Sequence, residues 1–114
     1  MAKEESSAFN LIKERYFQLD KDFDLMMSAC TTDDEKKQLK QDYIISRANY
    51  RKSLNLCFEE NDPIVKDLTD KLGEVEGRIS KDIKALGITS NVFKMITESV
   101  KISSSIIVVV SSFI

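Results

Sequence analysis

The chain has 114 residues, of which 42% are hydrophobic and 32% charged, and its formal net charge is -2. This balance suits a single globular or coiled-coil domain over residues 1–114 and excludes an intrinsically disordered chain. Lysine and arginine are interleaved with acids and form no basic stripe, so nucleic acid is not an expected partner. With one proline and three glycines, the chain is expected to form long helices.

The first predicted helix spans residues 7–30. Its apolar residues recur at alternating spacings of three and four, a heptad seam typical of helices that pack side by side. Ser6 or Ser7 can cap the start of this helix. The predicted seam consists of Phe9, Ile12, Tyr16, Leu19, Phe23, Met26 and Cys30.

The second predicted helix spans residues 32–59. It opens with a capping box, in which the hydroxyl of Thr32 accepts an orphan amide and Glu35 reaches back. Apolar residues also lie off its main face, so this helix has apolar character on more than one side. The predicted face consists of Leu39, Tyr43, Ser46, Tyr50, Leu54 and Cys57.

The third predicted helix spans residues 62–86. Asp62 precedes Pro63, a proline at the first helical position, and Gly87 provides the usual C-terminal stop. Two internal glycines each cost about 1 kcal/mol relative to alanine, which indicates either close packing or a weak point. Its face consists of Val65, Leu68, Leu72, Val75, Ile79, Ile83 and Leu86.

The fourth predicted helix spans residues 90–114, after a cap at Thr89 and Ser90. Its spacing of three and four continues to the last residue, which favours a helix. The run from Ile106 to Val110 is entirely β-branched, so a strand stays open as the alternative. The predicted seam consists of Phe93, Ile96, Val100, Ser103, Ile107, Val110 and Ile114.

Four rods of similar length, joined by short segments, are expected to pack as antiparallel neighbours. The sequence therefore predicts an all-α fold, an elongated up-down-up-down four-helix bundle. A three-helix body with a detached fourth segment is the alternative. In this bundle Cys30 and Cys57 lie roughly 40 Å apart by helix rise. Because a disulfide needs Cα atoms within about 7 Å, we expect two free thiols.

Catalytic and metal chemistry find little support in the sequence. There is no histidine, which removes the commonest general base and metal ligand. The segment Asp20–Asp24 resembles the start of a calcium loop, but Leu25 and Thr31 stand where that loop needs glycine and glutamate. The sequence therefore predicts no enzyme, no cofactor, no metal site and no small-molecule substrate.

The C-terminal stretch is the most informative segment, because it carries no charge after Lys101. Apolar residues continue off the seam, so the helix is apolar nearly all round and needs cover from its own fold, a partner or lipid. The 13 residues from Ile102 to Ile114 are fewer than the about 20 that a membrane span requires. The residues assigned to interaction are Ile102, Ile106, Val108, Val109, Phe113 and Ile114.

The predicted function is that of a non-enzymatic interaction or assembly protein, which self-associates through its C-terminal helix or binds another protein. Replacing Val109 with Asp is expected to dissolve the assembly and leave a folded monomer. One alternative is a membrane-active, pore-forming or lipid-inserting protein that releases this helix into a bilayer. Another is a secreted helical filament subunit.

The N-terminus predicts cytoplasmic synthesis. Residues 1–7 are polar and charged, unlike a signal peptide, and Ala2 excludes an N-myristoylation motif. Secretion without a cleaved signal and association with a membrane remain the alternatives.

Overall fold

The computed structural model describes residues 6–113. It contains four α-helices, which are α1 (Ser7–Ala29), α2 (Asp33–Ser53), α3 (Pro63–Leu86) and α4 (Ser90–Ser111). The predicted four-helix bundle is confirmed. The strand alternative for the C-terminal stretch is wrong, because residues 90–111 are helical, and the detached fourth segment is wrong, because α4 packs against both α2 and α3.

The helix ends follow the signals in the sequence. Each helix begins after a polar cap whose side chain accepts backbone N–H groups. In the capping box the Thr32 hydroxyl accepts from the Glu35 N–H at 3.1 Å, and the Glu35 carboxylate accepts from the Thr31 N–H at 2.8 Å. Gly87 ends α3 at a φ of 79°, a conformation in which glycine is favoured.

The second helix is shorter than predicted. It ends at Ser53 instead of residue 59, and residues 54–62 form a linker without helix. The Ser53 hydroxyl donates to the Tyr50 carbonyl, and the N–H of Asn55 bonds to Lys52 in a tightened last turn. The linker then packs Leu56 and Phe58, both partly buried, against the end of the core.

The helices do not all lie beside their neighbours in sequence. Among residues 6–113, α2 and α3 make no contact, and the order around the bundle is α1, α2, α4, α3. Asp42 bonds to Thr97, and Asn49 to Ser104, so α2 and α4 run parallel. The predicted up-down-up-down directions of the four helices are confirmed. The expectation that α2 and α3 lie side by side is wrong, because the linker carries the chain diagonally across the lower end, where α1 begins.

The core divides into two clusters along the bundle axis. The upper cluster, at the end where α2 begins, is formed by Leu19, Met26, Leu39, Val75, Ile79, Val92, Phe93, Met95, Ile96 and Val100. The lower cluster, at the end where α4 finishes, is formed by Ala8, Ile12, Val65, Leu72, Ile106, Ile107 and Val110. The predicted seams of α3 and α4 supply five of the ten residues of the upper cluster and four of the seven residues of the lower cluster.

The aromatic residues of α1 and α2 lie at the edge of the bundle. Tyr16 stacks on Tyr50 with ring centroids 5.5 Å apart, and Phe23 meets Tyr43 edge-on at 5.1 Å. The Tyr43 hydroxyl donates to Asp20, a bond that raises the pKa of Tyr43 to about 12. The predicted seam of α1 is thus rotated slightly, with its aromatic members half-buried between the two helices.

The two cysteines lie at opposite ends of the bundle, and both are free thiols. Cys30 follows the last residue of α1 at the upper end, and Cys57 lies in the linker at the lower end. The prediction of two unpaired thiols is therefore confirmed.

Burial of the C-terminal helix can be tested with two neighbouring residues. Ile106→Ala is expected to lower the free energy of unfolding by about 2–5 kcal/mol, because Ile106 lies in the lower cluster with no exposed surface. Val108→Ala removes exposed methyl groups and is expected to change it by no more than about 0.5 kcal/mol. Urea unfolding measures both, and equal effects would contradict the buried position of Ile106.

Candidate functional site

Three of the residues assigned to interaction face inward. Ile106 is fully buried in the lower cluster, and Val109 is half-buried against it. Ile102 is half-buried and touches both clusters. Val109→Asp would therefore place a charge against the core and destabilise the fold itself. This substitution cannot separate loss of an assembly from unfolding of the chain.

Two of the other assigned residues, Val108 and Phe113, lie at the lower end of the bundle. Val108 is 68% exposed and Phe113 is 47% exposed, while Ile114 lies outside the described residues. Leu54 at the end of α2 and Ile64 at the start of α3 are exposed at the same end. These four residues, Leu54, Ile64, Val108 and Phe113, are named the basal surface.

A charged pair lies inside the bundle between the two apolar clusters. Arg15 is only 2% exposed and binds the Glu76 carboxylate with two hydrogen bonds, from Nε and from Nη2, each 2.9 Å long. The Ser99 hydroxyl donates to the same carboxylate, and Arg15 also donates to Gln18. This network joins α1, α3 and α4 through side chains alone.

Arg15, Glu76, Ser46, Ser99 and Ser103 are named the polar layer, which also contains buried polar groups without partners. Among residues 6–113, Arg15 Nη1 and the hydroxyls of Ser46 and Ser103 accept or donate no hydrogen bond. An unpartnered buried polar group costs about 1–3 kcal/mol. The polar layer is therefore not arranged for greatest stability, which is a common property of buried ion pairs.

A buried acid, Asp42, belongs to α2. It is 3% exposed and accepts hydrogen bonds from Gln38 Nε2 at 2.9 Å and from the Thr97 hydroxyl at 2.6 Å. No lysine or arginine of residues 6–113 forms a salt bridge with it. Burial raises the pKa of Asp42, and the two hydrogen bonds and the more distant charges of Arg15 and Lys101 offset only part of this effect.

Asp42 lines a cleft of about 250 Å³ between the upper halves of α2 and α4. The cleft has an apolar lining formed by Leu39 and Phe93. At its rim, the pKa of Glu35 is lowered by hydrogen bonds from the hydroxyl of Ser90 and from Thr31. The remaining lining residues are Asp34, Gln38, Lys94 and Thr97.

Arg15, Glu76 and Asp42 were not predicted from the sequence as site residues. The sequence of α2 does contain an indication of Asp42. Together with Leu39 and Ser46, the polar residues Asp42, Asn49 and Ser53 form a stripe with helical spacings of three and four, beside the predicted stripe that contains Tyr43 and Tyr50. The two stripes share Leu39 and Ser46, and the polar stripe is the one that faces the interior. The polar seam residues Ser46 and Ser103 were a second indication of a polar layer.

Two further kinds of site are absent from the described part of the chain. No group of three or more carboxylate, thiol or imidazole side chains among residues 6–113 is placed to hold a metal ion. None of the four helices there has both the length and the apolarity that a bilayer span requires. The candidate sites within residues 6–113 are therefore the basal surface, the polar layer and the cleft.

Comparison of the chain with protein-family models, with curated proteins and with solved structures gives no match.

The buried pair is expected to contribute specificity more than stability. Arg15→Met alone strands the Glu76 carboxylate and should lower the free energy of unfolding by about 3–5 kcal/mol. Arg15→Met combined with Glu76→Met should recover most of this loss, because neither charge is then buried alone. Urea unfolding of the single and double variants measures the difference, and additive losses would contradict this account.

Asp42 is expected to make stability depend on pH. Its pKa is raised in the folded state, so the folded chain binds more protons than the unfolded chain between the two pKa values. The contribution of Asp42 to the free energy of unfolding is therefore most favourable at low pH, and it falls as the pH rises through the raised pKa. Asp42→Asn should remove this trend and be the more stable form at neutral pH.

The measurement is urea unfolding of wild type and Asp42→Asn over a series of pH values. Asp70→Asn is the matched control, because Asp70 is exposed on α3. A difference between wild type and Asp42→Asn that does not change with pH would contradict the assignment.

Proposed function

We propose that this chain is a non-enzymatic helical interaction protein that self-associates through its basal surface, at the end where α4 finishes. The observation that carries the proposal is the distribution of exposed apolar side chains. Four of the eight large apolar side chains exposed among residues 6–113 belong to this one end. An end of a protein that carries several exposed apolar residues together with charged ones is a candidate protein interface.

The basal surface stands on a well-packed support. Beneath it, Ile106 and Val109 of α4 pack into or against the lower cluster, as do Leu56 and Phe58 of the linker. The linker is also tied to α1, because the Ser7 N–H donates to the Glu60 carboxylate at 2.6 Å. A surface held in place in this way loses little conformational entropy on association.

The polar surround suits a second copy of the same chain. Exposed Arg51 and Lys52 end α2, and exposed Glu59 and Glu60 follow in the linker at the same end. In a two-fold interface each subunit meets the same surface of its partner. A rim that carries both signs of charge can then pair basic with acidic groups across the interface.

Release of α4 into a membrane is the competing function, and it demands a much larger rearrangement. Ten residues of α4 are buried within the bundle, and they belong to both clusters and to the polar layer. Withdrawal of the helix would open the whole core. Binding of the chain to lipid vesicles would favour this competing function. Fibres in the electron microscope would instead favour a filament subunit.

The proposal is tested by light scattering on the purified chain over a range of concentrations, with and without vesicles. The expected result is a discrete oligomer that ignores vesicles. Val108→Asp should convert the oligomer to a monomer with unchanged helicity. Because Val108 is exposed in the monomer, the new carboxylate would lose its water only when the interface forms.

Ile44→Asp is the matched control, since Ile44 is 58% exposed but lies within α2, away from the basal surface. Its oligomer should keep the wild-type mass. A wild-type chain that stays monomeric at every concentration, or a Val108→Asp oligomer of unchanged mass, would overturn the proposal.

A further inference from the structure

The cleft between α2 and α4 contains an unusual combination of groups. Asp42 is almost entirely buried, yet among residues 6–113 no basic side chain is paired with it. Buried charges in proteins are normally paired, because an isolated charge is strongly disfavoured away from water. Arg15, the buried cation of the neighbouring layer, already has Glu76 as its partner.

The hydrogen bonds of Asp42 leave its carboxylate with unused acceptor capacity. Gln38 donates to one oxygen and the Thr97 hydroxyl to the other. A carboxylate offers about four lone-pair positions, so each oxygen can accept a further donor. Since Asp42 lines the cleft, a donor in the cleft can approach it.

The other lining groups set the charge and shape that the cleft can accept. Asp34, Glu35 and Asp42 face a single basic residue, Lys94, so the lining is negative overall. Glu35 is already engaged by Ser90 and Thr31, which makes Asp42 the principal acceptor. The floor formed by Leu39 and Phe93 suits an apolar body.

We propose that this cleft binds a small organic ammonium ion with an apolar body, and that the Asp42 carboxylate is the counter-charge of its ammonium group. The apolar part of the ligand lies on Leu39 and Phe93, and its N–H groups donate to the free lone pairs of Asp42. The site is in the upper half of the bundle, so it is independent of the basal surface and of self-association.

The presence of a carboxylate at this position also favours a binding role. An asparagine has nearly the same shape, and its amide can bond to the Gln38 amide and the Thr97 hydroxyl without a buried charge. Burial disfavours the charged form of Asp42 in the folded chain and so raises its pKa. Sites that bind ligands commonly contain groups that reduce stability in this way.

The test is a titration with phenethylamine and with 2-phenylethanol, which differ in the ammonium group, followed by the NMR shifts of Leu39, Phe93 and Thr97. Wild type should bind the amine at least about tenfold more tightly than the alcohol, equivalent to about 1.4 kcal/mol. Asp42→Asn should remove this preference, and its fold is checked by its remaining amide shifts. Asp70→Asn, the exposed control on α3, should keep the preference.

A second variant keeps the test independent of Asp42. Lys94→Gln removes the positive charge of the cleft and should tighten binding of the amine without changing that of the alcohol. Equal affinity of wild type for amine and alcohol would overturn the proposal. So would an amine preference that survives in Asp42→Asn, or a titration that leaves the shifts of the cleft residues unchanged.

Discussion

The buried ion pair of Arg15 with Glu76 is the interaction on which the arrangement of this bundle depends. The guanidinium of Arg15 is buried, and its Nε and Nη2 both donate to the Glu76 carboxylate in one bidentate geometry. This geometry places α1 beside α3 at a single register. Ser99 adds α4 to the same carboxylate. A bundle that placed α2 between α1 and α3 would strand both charges, which is a strong reason for the diagonal linker.

The same pair explains the surface of the first two helices and the division of the core. Because Arg15 points inward, the next residue, Tyr16, lies at the edge and stacks on Tyr50. The apolar core is consequently interrupted at the middle of the bundle, with one cluster on each side. Asp42, on the α2 side of the interior, is left without a basic partner, and the proposed ammonium site follows from that imbalance.

The position of the C-terminal stretch shows how far a seam pattern can carry a functional prediction. The spacing of three and four correctly indicated Ile107 and Val110 as core residues. It placed Ile106 off the seam, and this residue is nevertheless fully buried, because α4 packs between α2 and α3 and buries a wider face than one seam. Of the assigned residues within 6–113, only Val108 and Phe113 are exposed enough to support the proposed self-association.

The sequence by itself determined the number of helices, their caps, the stop at Gly87 and the separation of the two thiols. These features depend on local signals, such as a hydroxyl or carboxylate near the first turn and a glycine after the last. Only the tertiary structure decided the rotation of α1 and α2, the early end of α2 and the neighbours of each helix. In α2 both the predicted face, with its tyrosines, and the polar face that is actually buried contain Leu39 and Ser46. Which of the two faces turns inward depends on Arg15, Glu76 and the aromatic rings. These groups are distant in the chain and meet only in the folded bundle.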